Sequence, residues 1–249
     1  MRDRRRYPDV QNELLLGSRA AALREVLRSL ECDAATRAFL DQFVPNVAGV
    51  QPYIPISAAG AGHLLGTLAG AGARFSIDSL ADLDSVGALG GDPRDVLYRN
   101  TEQHASNVRE AALRGVWRFA VDSERGLSTI GSAAPGAAIY VYVAVHSTSG
   151  AQPVGASPQE TLRLLRVAPE FGLRPYGLAF HVGHVYVDAA TYARAIDRCG
   201  LVMRRLEQLG LRVDMLGLGG PVSGGASDPA VLAAVARLAY RPALLAAEP

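Results

Sequence analysis

Leu178-Ala179-Phe180-His181-Val182-Gly183-His184 is the stretch on which the fold turns. The apolar run up to Phe180 suits a strand covered on both faces, and such strands belong to parallel sheets flanked by helices. Gly183 frees the backbone where the strand stops, between the two histidines of the stretch. In a parallel α/β barrel the carboxyl ends of the strands carry the chemistry. His181 is therefore the first candidate residue.

Outward from this stretch the same unit recurs: a short apolar strand, a polar residue at its carboxyl end, then a helix. Residues 51–57, 74–78, 96–100, 117–122, 138–146, 176–181, 213–218 and 244–248 read as strands. Pro55 is unusual within the first of them. Helices are predicted over 58–72, 81–89, 103–113, from Ser123, over 158–168 and 189–209, and from Asp228-Pro229. Ser157 is placed to cap the helix that Pro158 opens. The segment 147–157, rich in Gly, Ser and Pro, reads as a loop. Before the first strand, Leu14, Leu15, Ala21, Leu23, Val26, Leu27 and Leu30 recur at helical spacing, and a second short helix is predicted over 34–43. Eight strands with intervening helices in 249 residues describe a single α/β domain, a (β/α)8 TIM barrel spanning 1–249. Residues 1–50 would form a helical segment that packs on the barrel and replaces the last helix of the outer ring.

Composition narrows the function. Hydrophobic residues make up 49% and charged residues 20%, with a formal net charge of +1. That balance gives no electrostatic reason to expect nucleic acid or an anionic membrane as partner. The basic start, Met1-Arg2-Asp3-Arg4-Arg5-Arg6, is followed by no apolar segment of signal-peptide type, and no run reaches transmembrane length. A cytoplasmic protein acting on a small-molecule substrate is the expectation, with homo-oligomerisation left open. Cys32 and Cys199 have no metal-type spacing and are expected as free thiols in a reducing compartment. All 25 residues of the Lys+Arg class are arginine. The sequence thus contains no lysine side chain with which to form a Schiff base.

The order of motifs resembles the barrel of the fold-type III pyridoxal-phosphate decarboxylases, the ornithine/diaminopimelate/arginine decarboxylase group, whose barrel is also that of alanine racemase. The carrying segments are Thr67-Leu68-Ala69 with Gly72 and Phe75, then Asp122-Ser123-Glu124. Phe180-His181-Val182-Gly183, Leu218-Gly219-Gly220 and Ala247-Glu248-Pro249 follow them. The resemblance covers residues 52–249 and implies that His181 stacks on a cofactor ring and that Glu248 pairs with the ring nitrogen.

The departures carry as much information. The family's strand P-F-Y-A-V-K ends in the cofactor-binding lysine, whereas Pro52-Tyr53-Ile54-Pro55-Ile56-Ser57 ends in serine. The phosphate-holding glycine run has become Gly219-Gly220-Pro221, and Pro221 has no N–H to offer an anion. His184 stands where the family has a phosphate-holding serine. Tyr142 replaces an arginine of the fifth strand, and His146 replaces an acidic residue at its end. The sequence stops at Pro249, before the family's Gly-Arg and its C-terminal β-domain. The resemblance therefore implies the barrel without that β-domain and without covalently bound pyridoxal phosphate, and family-type decarboxylation is not expected.

Polar residues at the predicted carboxyl ends should converge on one mouth. His181, His146, Glu248 and Asp122 are the candidate catalytic set: a histidine titrates near neutral pH, and a carboxylate within reach can orient it. Ser57, Asp78, Asn100, His184, Gly219 and Gly220 are the candidate substrate-binding set. The same positions could equally be relics of a cofactor pocket, bonded to one another and to water. Replacement of an acid by His146 and of a serine by His184 argues against simple decay. His146, His181 and His184 with Asp122 or Glu248 form a mixed metal-type set, but His181 and His184 span a glycine turn, not a helix face, so no metal is assigned. His63, His104 and the pair Arg204-Arg205 read as surface or packing residues, and 58–62 as glycines for close helix packing.

The expected function is a pyridoxal-phosphate-independent lyase, isomerase or cyclase in specialised biosynthesis. The alternative is a non-catalytic decarboxylase homologue with a regulatory or binding role.

Overall fold

The structure, a computed structural model, describes residues 50–56, 66, 69, 74–145, 155–182, 188–220, 234, 238 and 244–248; for 50–52 and 244–248 it describes the backbone only. Eight described strands close into a parallel barrel in chain order. They are β1 (Val50–Pro55), β2 (Arg74–Ile77), β3 (Leu97–Tyr98), β4 (Arg118–Val121), β5 (Ala138–Tyr142), β6 (Arg174–His181), β7 (Met215–Gly219) and β8 (Leu244–Glu248). β8 pairs with β1 through Val50↔Leu245 and Pro52↔Ala247, so no edge strand is left in the ring. Five described helices lie outside it: α1 (Leu80–Ala88), α2 (Ala105–Leu113), α3 (Glu124–Ala133), α4 (Pro158–Val167) and α5 (Ala189–Gln208).

Side-chain caps in the sequence account for the starts of α1, α3, α4 and α5. Ser79 accepts from Asp82 N while Asp82 accepts from Ser79 N, each at 3.1 Å, a reciprocal cap on α1. Ser123 caps α3 and Ser157 caps α4, with Pro158 in the first turn as expected. Asp188 opens α5, accepting from Thr191 N at 2.8 Å. Along α5 the buried residues Tyr192, Ile196, Cys199, Val202, Met203 and Leu206 recur every three or four positions and face the barrel. Phe180 of β6 meets Tyr192 edge-on at 5.2 Å. Each such buried aliphatic or aromatic side chain contributes roughly 1.5–3 kcal/mol.

Several boundaries differ from the sequence expectation. β3 is two residues long, because a 3-10 turn at Pro93–Asp95, opened by Asp92, occupies the chain just before it. β5 ends at Tyr142, not near 146. Beyond it the chain pairs with its own return segment, Ala156 N donating to Tyr142 O at 2.7 Å and Ala144 N to Ala156 O at 2.8 Å. Gly155 permits that return, since a Cβ there would lie 2.4 Å from Tyr142 O. β6 starts two residues earlier than expected and carries a register shift opposite Ile139 and Tyr140. Pro55 is tolerated as the last residue of β1, where a missing N–H costs the ladder little. The expected helices over 12–43 lie outside the described residues, as does nearly the whole of those over 58–72 and from Asp228.

Strand parity sorts the side chains. Phe75, Ile77, Phe119, Val121, Ile139, Val141, Leu178, Phe180, Leu216 and Leu218 face the helices in one apolar cluster. Tyr53, Leu97, Ala120, Ala138, Tyr140, Tyr176, Ala179 and Met215 form a second cluster inside the ring. Combining the registers with the tilt of strands in an eight-stranded barrel gives interior layers of four from alternate strands. One holds Tyr53, Leu97, Tyr140 and Gly217. Ser76, Ala120, Ala179 and Glu248 form the next toward the carboxyl ends. Pro55, Arg99, Tyr142 and Gly219 come above these, and Asp78, Asp122 and His181 at the rim.

The amino end of the lumen is filled by stacked cations and rings. Arg118, fully buried, lies 4.7 Å from the Trp117 ring and 5.7 Å from the Tyr53 ring. Arg74 donates to Tyr53 OH at 3.0 Å and pairs with Asp95 at 3.3 Å. Arg174, at the start of β6, stands 5.4 Å from the Trp117 ring.

Candidate active site

The rim of the barrel brings together residues that are far apart in sequence. Asp78 and Asp122 each follow a strand and precede the serine that caps the next helix, so the same strand–cap–helix turn presents both carboxylates at the carboxyl end. Asp122 accepts from Thr101 Oγ1 at 2.8 Å. Asp78 is held by Arg99 Nη2 at 2.5 Å; the guanidinium is 16% exposed and the carboxylate 43%. A pair so open to water is screened, and its role is to fix geometry more than to add stability. Asn100 donates to Asp78 O at 3.2 Å and accepts from Glu102 N at 2.8 Å, so its amide stitches the ends of β2 and β3. Gln103 extends this stitching, donating to Asn100 O and, at 3.4 Å, to Ala120 O.

His181 ends β6, half-buried, in register with Gly219 of β7. Gly219 is in turn in register with Glu248 of β8. A Cβ on Gly219 would lie 3.0 Å from His181 Cδ2 and 2.5 Å from Phe180 O. The imidazole therefore leans across Gly219, toward the strand that carries Glu248, and the missing side chain is what lets it do so. Gly220 follows with φ +94°, a conformation that suits glycine.

Of the candidate residues, Asp78, Asp122 and His181 share the rim, Glu248 occupies a register position two layers below, and Gly219 and Gly220 form the adjoining turn. Asn100 sits at the same end but spends its amide on backbone. Ser57, His146 and His184 lie outside the described residues. Among the described residues no group of three His, Cys, Asp or Glu could hold a metal ion. His104 is exposed ahead of α2 and makes no side-chain cap, and Arg204 and Arg205 are exposed on α5, in line with the surface reading. No described helix is long and apolar enough to cross a membrane.

Two lumen residues went unremarked in the sequence. Arg99 is two positions after the inward Leu97, and Ser76 two before Asp78. Strand parity alone carried the signal for both.

Comparison with known proteins agrees with the geometry. The family described as "pyridoxal-dependent decarboxylase, pyridoxal binding domain" matches residues 33–236. The chain belongs to that family. It is 32% identical to the lysine/ornithine decarboxylase of Selenomonas ruminantium over 166 residues, 64% of this chain and 41% of the relative. It is 26% identical to antizyme inhibitor 2 of Xenopus laevis over 187 residues, 74% of this chain and 41% of the relative. In structure it is similar to the lysine decarboxylase of Selenomonas ruminantium, with a TM-score of 0.75 at 23% identity over 97% of this chain and 66% of that one. The chain thus spans about two fifths of the length of these curated relatives.

Proposed function

We propose that the barrel mouth binds a small polar, amino-acid-derived metabolite and transforms it by proton transfer, as a lyase, isomerase or cyclase of specialised biosynthesis. The observation that carries this reading is the rim: His181 leaning over Gly219 toward the strand of Glu248, on the same ring as Asp122. In the proposal His181 and His146 move the proton, Glu248 and Asp122 orient them, and Asp78, Asn100, Ser57, His184, Gly219 and Gly220 border the substrate. No metal enters the proposal.

The family implies pyridoxal phosphate, and the residues present fit it only in part. Covalent attachment condenses the cofactor's aldehyde with a side-chain primary amine. The described lumen side chains Ser76, Asp78, Arg99, Asp122, Tyr142 and His181 include none, and the sequence has no lysine. The Schiff-base mode does not fit these residues, and no step is routed through it.

A second reading is supported by different observations. Relatives of this chain include proteins named antizyme inhibitors, and two rim residues, Asp78 and Asn100, are engaged by neighbours. It makes the chain a non-catalytic homologue that binds and regulates.

Solvent deuterium separates the two. Incubating the protein in D2O with a panel of amino acids and following Cα–H exchange by NMR should show label incorporation, and His181→Ala should slow it by roughly 10²–10⁴-fold with the fold intact. His146→Ala should slow it as well. Absence of exchange across the panel, with both variants indistinguishable from wild type, supports the non-catalytic reading.

A further inference from the structure

The side of α5 turned away from the barrel is an exposed face with Leu201 at its centre, 60% exposed. Residues three, four and seven positions from Leu201 share that face: Arg194, Asp197, Arg198, Arg204, Arg205 and Gln208. Four arginines thus surround one leucine, with a single carboxylate among them. Arg194 donates to Thr191 Oγ1 at 2.6 Å and Arg205 to Gln208 Oε1 at 3.0 Å, both neutral acceptors. Among the described residues Arg194, Arg204 and Arg205 form no ion pair, and all three are exposed. The nearby acids do not cancel this charge. Asp188 caps the helix and accepts from Thr191, Glu160 of α4 is held by Arg163, and Glu207 lies about 120° round the helix from Leu201. Two open grooves, each of about 440 Å³, flank Leu201. One runs over Gly200 to Leu238, the other over Val202 to Pro158 at the start of α4, and Asp197 borders both. Glycine keeps the first groove close to its wall, since a Cβ on Gly200 would lie 3.2 Å from Leu238 Cδ2.

We infer that this face of α5 docks an acidic polypeptide segment, with apolar side chains in the two grooves and carboxylates on Arg194, Arg198, Arg204 and Arg205. Charge complementarity names the partner. Guanidinium groups pair with carboxylate or phosphate alike, and Asp197 together with the grooves separates the two. Asp197 sits inside the basic patch, where it repels a phosphate backbone or a lipid headgroup, while a peptide can lay a backbone N–H against it. Apolar grooves on both sides of Leu201 take the side chains of an amphipathic segment. A second copy of the same face would set arginines against arginines. The inference is independent of what the barrel mouth does.

The test uses the full chain and a fluorescein-labelled peptide of glutamates with leucines at three- and four-residue spacing, followed by anisotropy. Wild type should bind it, more weakly as salt rises. Replacing the peptide's leucines by serine, or its glutamates by lysine, should abolish binding. Leu201→Ser and the double variant Arg204→Glu/Arg205→Glu should each weaken binding roughly ten-fold or more. Both should melt at the wild-type temperature, because these side chains are exposed. Failure of wild type to bind, or equal affinity in wild type and both variants, overturns the inference. Equal binding of the serine peptide also overturns it, leaving a surface that reads charge alone. Binding to phosphatidylserine vesicles in place of the peptide gives the face to a membrane. Sedimentation of wild type as a dimer that Leu201→Ser dissociates gives it to a second copy, and either result overturns the inference. A lowered melting temperature in both variants does so too, since the face would then be structural.

Discussion

Cys199 shows how position alone sets the chemistry of a residue. It lies on the barrel-facing side of α5, fully buried, and its desolvation pushes the thiol up to about 12, against the opposing charge of Arg198. The thiolate is the nucleophile, so this cysteine should stay unreactive toward thiol reagents until the protein unfolds. The unfolded chain releases the proton near 9 and the folded one near 12. Stability is therefore complete below about pH 9 and is lost as pH rises through that window, by at most about 1.4 kcal/mol per pH unit. Urea midpoints measured from pH 8 to 11 should fall along that course, and Cys199→Ala should flatten it. At the rim, Asp122→Ala removes the acceptor of Thr101, and deuterium exchange with amino acids should slow if Asp122 orients His181.

At the scale of elements, the glycines of β6 and β7 let these two strands pack closely. A Cβ on Gly177 would sit 2.6 Å from Met215 Cβ and 2.7 Å from Met215 O, and one on Gly217 would sit 2.8 Å from Ala179 Cβ. Backbone cannot step aside as a flexible side chain can, so Gly177→Ala must separate the two strands. Overpacking of this kind costs typically about 1–3 kcal/mol, and thermal melting should register it as a drop of several degrees. The same strands position His181 over Gly219, so the variant should also impair ligand binding at the mouth. Loss of a helix cap is milder. Ser79→Ala breaks the reciprocal cap with Asp82 and should cost about 1 kcal/mol without affecting the rim.

Across the whole molecule the two ends of the barrel differ in kind. The amino end is closed by Arg74, Arg118 and Arg174 stacked with Tyr53 and Trp117; Arg118 donates to Arg94 O at 3.1 Å and the Trp117 indole to the same oxygen at 2.8 Å. This end stabilises. Arg118→Ala leaves a cavity between two rings and should cost about 2–4 kcal/mol in urea denaturation. Arg118→Met, which refills the volume without a charge, should recover most of that loss. Neither should alter binding at the carboxyl end, which is polar, partly open and built from helix-cap turns.

The sequence by itself determined the ring. Apolar runs of strand length alternating with amphipathic helices, most of the described ones announced by Ser or Asp and one also by Pro, have few solutions other than a parallel barrel, and these signals are local. It also marked His181, Asp122 and Asp78, because a polar residue closing an apolar strand stands out in one dimension. Tertiary structure decided the rest. Whether Asn100 faces a ligand or stitches backbone, whether Arg99 enters the lumen, and that Ser76 is buried without a partner all depend on strand register and barrel tilt. Those are set by the closing of eight strands at once, and no short window of sequence contains that closure.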